Sequence, residues 1–162
     1  MEKLYRIEKD FLGEKQIETN KYYGIQTLRA KENFNITKTD ISLFPNFIKS
    51  LAKVKKACAL TNFELGDLTD IQKDAIVQAC NEIIDGKFHD QFIVDPIQGG
   101  AGTSTNMNAN EVIANRALEI LGHPKSSYNI IHPNNHINMS QSTNDVYPTA
   151  IKLTLHELIY KL

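Results

Sequence analysis

Two segments of the chain concentrate neutral hydrogen-bond donors. Thr103, Ser104, Thr105 and Asn106 follow the glycine-rich stretch Gln98-Gly99-Gly100-Ala101-Gly102, and Asn138, Ser140, Gln141, Ser142, Thr143 and Asn144 precede a long apolar-periodic run. Hydroxyls and amides of this kind can grip an anion without titrating. Ser, Thr and Asn also gather wherever loops turn and helices begin, so the clusters take their meaning from where they stand. The second lies at the amino end of a helix, whose free N–H groups and partial positive charge suit an anion. A glycine loop opposite it lets backbone approach a small ligand closely.

Other chemistries fit these residues poorly. No Lys follows the last glycine, so the phosphate-cradling G-x-x-x-x-G-K-[ST] is missing. Gly100-x-Gly102 has Thr105 where a dinucleotide loop needs a third glycine, and Pro96 spoils the strand expected before it. His132 and His136 are separated by Pro133 and two asparagines, which disfavours a helical ligand pair, and no Cys, Asp or Glu cluster joins them. Neither a metal nor an organic cofactor is expected. Cys58 and Cys80 form no paired framework and no C-x-x-C motif, and both fall on apolar helix faces as reduced thiols do.

The elements that must carry these groups are mostly helical. Short alternating pieces around Gly13 and Gly24 predict a small hairpin or extended arm within residues 5 to 35. From Pro45 the positions Phe47, Ile48, Leu51, Val54 and Cys58 recur on one helical stripe up to Gly66, with Lys49, Lys53, Lys55 and Lys56 expected on a solvated face. A second helix opens at Thr69, with Gln72 completing a capping box. It buries Ile71, Ala75, Ile76, Ala79, Cys80 and Ile83 and stops at Asp85-Gly86. After Phe92-Ile93-Val94 and the glycine loop, a third helix is expected from about Asn108, with Asn108-x-x-Glu111 as its box and Gly122 as its terminator. A final helix is expected from Asn144 or Asp145, with Pro148 in its first turn, still running at Leu162. Val146, Tyr147, Ala150, Ile151, Leu155, Leu158, Ile159 and Leu162 give it an apolar surface that asks for covering by partner chains or by further polypeptide.

The bulk composition narrows the function. The 162 residues are 41% hydrophobic and 23% charged, and 18 Lys+Arg against 19 Asp+Glu leave a formal charge of −1. No overall field draws the chain to nucleic acid or to an anionic membrane. The longest apolar run, Ala57 to Leu60, falls far short of the roughly 20 residues a bilayer span requires. Met1 to Arg6 lacks the apolar core of a secretory signal, so a cytoplasmic protein is expected.

Three segments carry a family resemblance. Tyr22-Tyr23-Gly24-Ile25-Gln26-Thr27-Leu28-Arg29-Ala30, Gly99-Gly100-Ala101-Gly102-Thr103-Ser104-Thr105-Asn106 and His132-Pro133-Asn134-Asn135-His136-Ile137-Asn138-Met139-Ser140-Gln141-Ser142-Thr143-Asn144-Asp145 resemble the aspartase/fumarase superfamily, in the family's order and spacing. Gly-Gly-Ala-Gly-Thr-Ser, together with Thr143 where fumarases tend to carry a second Ser, favours the aspartase branch over class II fumarases. The resemblance implies a mainly α fold: a helical amino-terminal domain over 1–142 with a short β hairpin or extended arm, then the start of a central-bundle helix over 143–162.

It also implies reversible deamination of L-aspartate to fumarate and ammonia, with Thr103, Ser142, Thr143 and Asn144 as substrate contacts. Ser104 and Asn106 are implied as secondary contacts, Arg29 as a contact to the other carboxylate, and His132 with Asn134 as a secondary anion site, although Asn135 stands where the family usually has Asp. The partners implied are a small dicarboxylate and a homotetramer whose sites draw on three subunits. The family's mobile Gly-Ser-Ser-x-Met-Pro-x-Lys-x-Asn loop, which holds the base serine, has no counterpart here, because Ser126-Ser127 runs into Tyr128-Asn129-Ile130. The chain alone is therefore expected to contain no catalytic residue and to be inactive. A class II fumarase portion and a non-catalytic assembly module are the alternatives.

Overall fold

The computed structural model describes residues 4–160. Strands β1 (Tyr5–Asp10) and β2 (Gly13–Glu18) pair antiparallel, from Tyr5 opposite Glu18 to Asp10 opposite Gly13. Only Glu8 and Ile17 of this hairpin are buried, so it is an arm lying on the helical body rather than a layer of the core. Arg6 ties the arm down, donating to the carbonyls of Glu18, Lys21 and Tyr23 and to the Glu8 carboxylate.

Among the described residues five α-helices make the body: α1 (Ile25–Asn33), α2 (Pro45–Glu64), α3 (Asp70–Ile84), α4 (Thr103–Ile120) and α5 (Thr143–Ile159). The fold is mainly α with a short hairpin, as the residue pattern predicts. Helix α2 opens with Pro45 at its first position, where a missing N–H costs nothing. Helix α3 opens with the Thr69–Gln72 capping box. Its partner α2 buries Ile48, Leu51 and Ala52 against Ala75, Ile76, Ala79 and Ile83 of α3. Ile71, expected on that buried side, is instead exposed in the first turn of α3.

Helix α4 is the central element, packed against α1, α3 and α5. It starts at Thr103, five residues earlier than the expected Asn108, and the reason is a cap supplied from outside. Gly102 takes a left-handed turn (φ 84°), and the Gln98 amide oxygen accepts the Thr105 N–H at 2.9 Å in place of a local cap. Asn108 and Glu111 are thereby freed from capping and lie buried in the helix interior.

Helix α5 starts at Thr143, with Ser142 as N-cap and Asp145 completing a capping box. Pro148 falls in its second turn rather than its first. The helix ends at Ile159 with Tyr160 as its C-cap, so the expectation of helix through Leu162 fails at Tyr160 and otherwise lies outside the described residues. Val146 and Ala150 join the core, whereas Leu155, Leu158 and Ile159 are exposed. No helix of the described residues is long and apolar enough to cross a membrane.

One charge sits where the pattern placed none. Lys55, expected on a solvated face with its lysine neighbours, is fully buried. It follows Leu51 by four residues and precedes Ala59 by four, so it stands on the buried stripe itself. Cys80 is also fully buried, and burial pushes its thiol up to about 12, while Cys58 is half-buried.

Candidate functional site

The amino ends of α4 and α5 meet, and a contact between Gly102 and Tyr147 brings them together. A Cβ placed on Gly102 would stand 2.1 Å from the Tyr147 ring, so only a glycine lets the loop close onto α5. Tyr147 in turn packs edge-on to Phe47 of α2, with ring centroids 5.3 Å apart. Between the glycine loop and α5 lies a cleft of about 330 Å³ lined by Gln98, Gly100, Gly102, Asn144, Tyr147 and Pro148.

Both helix heads offer donors. The N–H groups of Thr103 and Ser104, in the first turn of α4, have no intrahelical acceptor. Asn106 joins the two heads, donating from Nδ2 to the Asn138 side-chain oxygen at 3.0 Å and to Thr143 Oγ1 at 3.3 Å. Because the Thr143 oxygen accepts that bond, its hydroxyl proton remains free to be donated. The Ser142 hydroxyl is differently engaged, accepting the Asn144 N–H at 3.2 Å as the cap of α5. The Asp145 carboxylate is turned back onto the Ser142 N–H.

Thr103 is exposed and stands between two further clefts. One, of about 550 Å³, runs past Ser104, Met107, Arg29 and Phe34. The other, of about 760 Å³, is lined by Thr103, Glu111, Tyr128, His132 and Asn134 among others. At its rim the His132 Nδ1 accepts the N–H groups of Asn134 and Asn135 at 3.0 and 3.3 Å, and burial lowers its pKa. The neutral ring therefore carries its proton on Nε2, as a donor. His136 lies behind it with Nδ1 on the His132 N–H, and among the described residues no group of three or more His, Cys, Asp or Glu is placed to hold a metal ion.

The structure thus brings Thr103 together with His132 and Asn134, and with Ser104 and Arg29. It brings Asn144 against the glycine loop and Asn106 against Thr143. Arg29 is already committed, with a two-pronged bond to Asp10 at 2.8 Å on each arm and a third bond to the Gly13 carbonyl. The Arg29 guanidinium in turn holds the Asp10 carboxyl below its usual range.

Residue patterns alone missed the groups behind these heads. Glu111, read as a capping partner, reaches across to α1, where its carboxylate accepts the N–H groups of Gly24, Gln26 and Thr27 and the Thr27 hydroxyl. It serves as the cap that α1 lacks in its own sequence, since Gly24 has no side chain to offer. Lys55 was missed too: its ammonium donates to the Asn138 and Gln141 side-chain oxygens, both at 2.9 Å.

A family model described as a lyase matches residues 13–162. The chain is 63% identical over 161 residues to the aspartate ammonia-lyase of Bacillus subtilis (strain 168), covering 99% of this chain and 34% of the relative. It is 59% identical over 157 residues to that of Helicobacter pylori (strain J99), covering 97% of this chain and again 34% of the relative. The chain thus spans about a third of the length of these curated relatives. Among solved structures, a fumarate lyase:delta crystallin from Brucella melitensis bound to cobalt superposes with a TM-score of 0.93 at 56% identity, over 95% of this chain and 34% of that one. A class II fumarase from Schistosoma mansoni superposes with a TM-score of 0.87 at 40% identity, over 94% of this chain and 32% of that one.

Proposed function

The chain belongs to the lyase family, within the aspartase/fumarase superfamily, and from that membership we propose that it is the amino-terminal portion of an ammonia-lyase that reversibly deaminates L-aspartate to fumarate and ammonia. The observation that carries this reading is the meeting of two helix amino ends whose first turns offer neutral donors, with Thr143 free to donate its proton. Removing a proton from the carbon beside the side-chain carboxylate turns that group into an aci-carboxylate dianion. Donors fixed in place beforehand stabilise such a charge more than they stabilise the substrate, which is what lowers a barrier. Thr103, Ser142, Thr143 and Asn144 fill this role, with the Thr103 and Thr143 backbone N–H groups beside them.

When the carbon–nitrogen bond breaks, its electron pair goes to nitrogen and the ammonium departs as ammonia, so no side chain needs to protonate a leaving group. A hydratase has that need; the reading as a deaminase is supported by the 63% and 59% identity to two aspartate ammonia-lyases. The base lies in polypeptide beyond these 162 residues, so this chain alone is inactive. The exposed apolar residues Leu155, Leu158 and Ile159 support assembly of α5 into a larger helical bundle, as in a homotetramer.

The test follows fumarate by its ultraviolet absorbance, with L-aspartate and L-malate as substrates, for the chain alone and for the chain mixed with the remaining two thirds of the enzyme. No turnover alone, and fumarate from aspartate but not from malate on mixing, is the expected result. Turnover by the chain alone overturns the fragment reading, and turnover of malate only transfers the site to a fumarase.

A further inference from the structure

The turn that delivers Ser142, Thr143 and Asn144 to the head of α5 is closed by its own amides. Asn138 Nδ2 donates to the Gln141 carbonyl, and Gln141 Nε2 donates to the carbonyls of Ile137 and Met139, all within 3.0 Å. The turn holds Ser140 in the left-handed region, at a φ of 59°, a conformation that a non-glycine residue keeps only when its surroundings impose it. What imposes it comes from α2: Asn62 donates to the Met139 carbonyl, and Lys55 donates to both side-chain oxygens of the turn. The same Asn138 oxygen receives Asn106, whose Nδ2 also bonds to Thr143. An unbroken path of polar contacts therefore runs from the Lys55 ammonium to the hydroxyl at the head of α5.

A buried cation is costly unless it is paired and hydrogen-bonded. Among the described residues no carboxylate is bonded to it; its two partners are neutral amides. We propose that Lys55 is a positioning residue, whose ammonium clamps the Asn138–Gln141 turn and so holds the Ser142–Asn144 head of α5 in the orientation that binds a dicarboxylate. The dicarboxylate part of this statement rests on the function proposed above; the clamping part does not. The ammonium also places a positive charge behind that head, on the side away from solvent, where screening is weak.

Burial lowers the Lys55 pKa to about 7. The titratable groups facing it are Cys58 on its own helix and Cys80 on α3, with Asp145 of α5 acting on Cys58. Both thiols are raised by burial and stay neutral near that pH, so Lys55 is the group there that changes charge.

The test has two arms. In the labelled 162-residue chain, amide hydrogen exchange is read residue by residue for the native sequence, Lys55→Met and Gln141→Leu. Gln141→Leu removes the Lys55–Gln141 bond together with both carbonyl bonds of Gln141 Nε2 and leaves the buried charge bonded to Asn138, so an unloosened turn in this variant still overturns the clamp if Lys55→Met does not fold. Expected is exchange faster by about tenfold or more at Asn138, Gln141, Asp145 and Val146, with α3 amides such as Ala79 and Cys80 changed less than about twofold. Equal loosening across α3, or none at the turn, overturns the clamp. In the complete enzyme a limb of the kcat/KM profile is expected near pH 7, and Lys55→Met should remove it. Retention of that limb overturns the link to ligand binding. Absence of any aspartate turnover in the native enzyme would count against the proposed function alone, since the exchange arm is read without substrate.

Discussion

Gly102 and Gly66 form a matched pair, and substituting each by alanine measures what the closure of the glycine loop is worth. Both have a φ of +84°, but a Cβ on Gly66 meets nothing within 4 Å, whereas one on Gly102 lies 2.1 Å from the Tyr147 ring. Gly66→Ala therefore costs only the left-handed conformation, about 1–2 kcal/mol. Gly102→Ala costs the same and also expels the ring. That loses the edge-on pair with Phe47, about 0.5–1.5 kcal/mol, and part of the ring's burial, about 1 kcal/mol more. The totals are about 1.5 and about 3.5 kcal/mol, and at about 2–4 °C per kcal/mol in a domain of this size the melting temperature should fall by about 5 °C for Gly66→Ala and about 10 °C for Gly102→Ala. Thermal unfolding followed by circular dichroism reads both. In a Tyr147→Ala background the Gly102 cost should shrink to the Gly66 value. Equal losses for the two glycines in the native background would refute the claim that Tyr147 holds the loop closed.

Glu111→Ala strips α1 of four hydrogen bonds at once; a loss of about 4 kcal/mol or more is expected in denaturant unfolding, with accelerated exchange concentrated at Gly24 to Thr27. Lys55 makes stability rise with pH, because its folded pKa of about 7 lies below the ordinary 10.5. Above pH 7 the unfolded chain holds a proton that the folded chain has released, so unfolding free energy should climb by up to about 1.4 kcal/mol per unit. The window closes near pH 9, where the cysteines of the unfolded chain ionise and pull the other way. Denaturant midpoints at several pH values check this, and in Lys55→Met the climb should vanish.

The sequence made the helical framework legible because periodicity reports burial. The stripe along α2, the Thr69–Gln72 box and the hairpin around Gly13 follow from local rules that tertiary contacts only reinforce. It was least legible where a distant group replaced a local one. Local pattern points to Asn108 as the start of α4 because a polar residue three before a Glu looks like a box, whereas the true cap is Gln98, from outside the helix. Glu111 caps a helix more than eighty residues away in the chain, and no window of neighbouring residues can reveal that.

Lys55 had a readable signal, its place on the stripe between Leu51 and Ala59, but the usual behaviour of lysine outweighed it. At the candidate site the donor residues of α4 and α5 could be named from type and spacing. Their present bonds could not: Arg29 spends its fork on Asp10, and Ser142 spends its oxygen on a cap, through partners that only the fold supplies.

The central claim is that uncharged donors at the head of α5 hold a developing dianion, and Thr143 isolates it because the N-cap of α5 belongs to Ser142. Turnover of L-aspartate by the complete enzyme carrying Thr143→Ala, with folding confirmed by an unchanged melting temperature, is the direct measurement. A fall in kcat of about 10²- to 10³-fold, the usual loss for one such donor, is predicted; a fall of less than about threefold, near 0.6 kcal/mol, would contradict the claim.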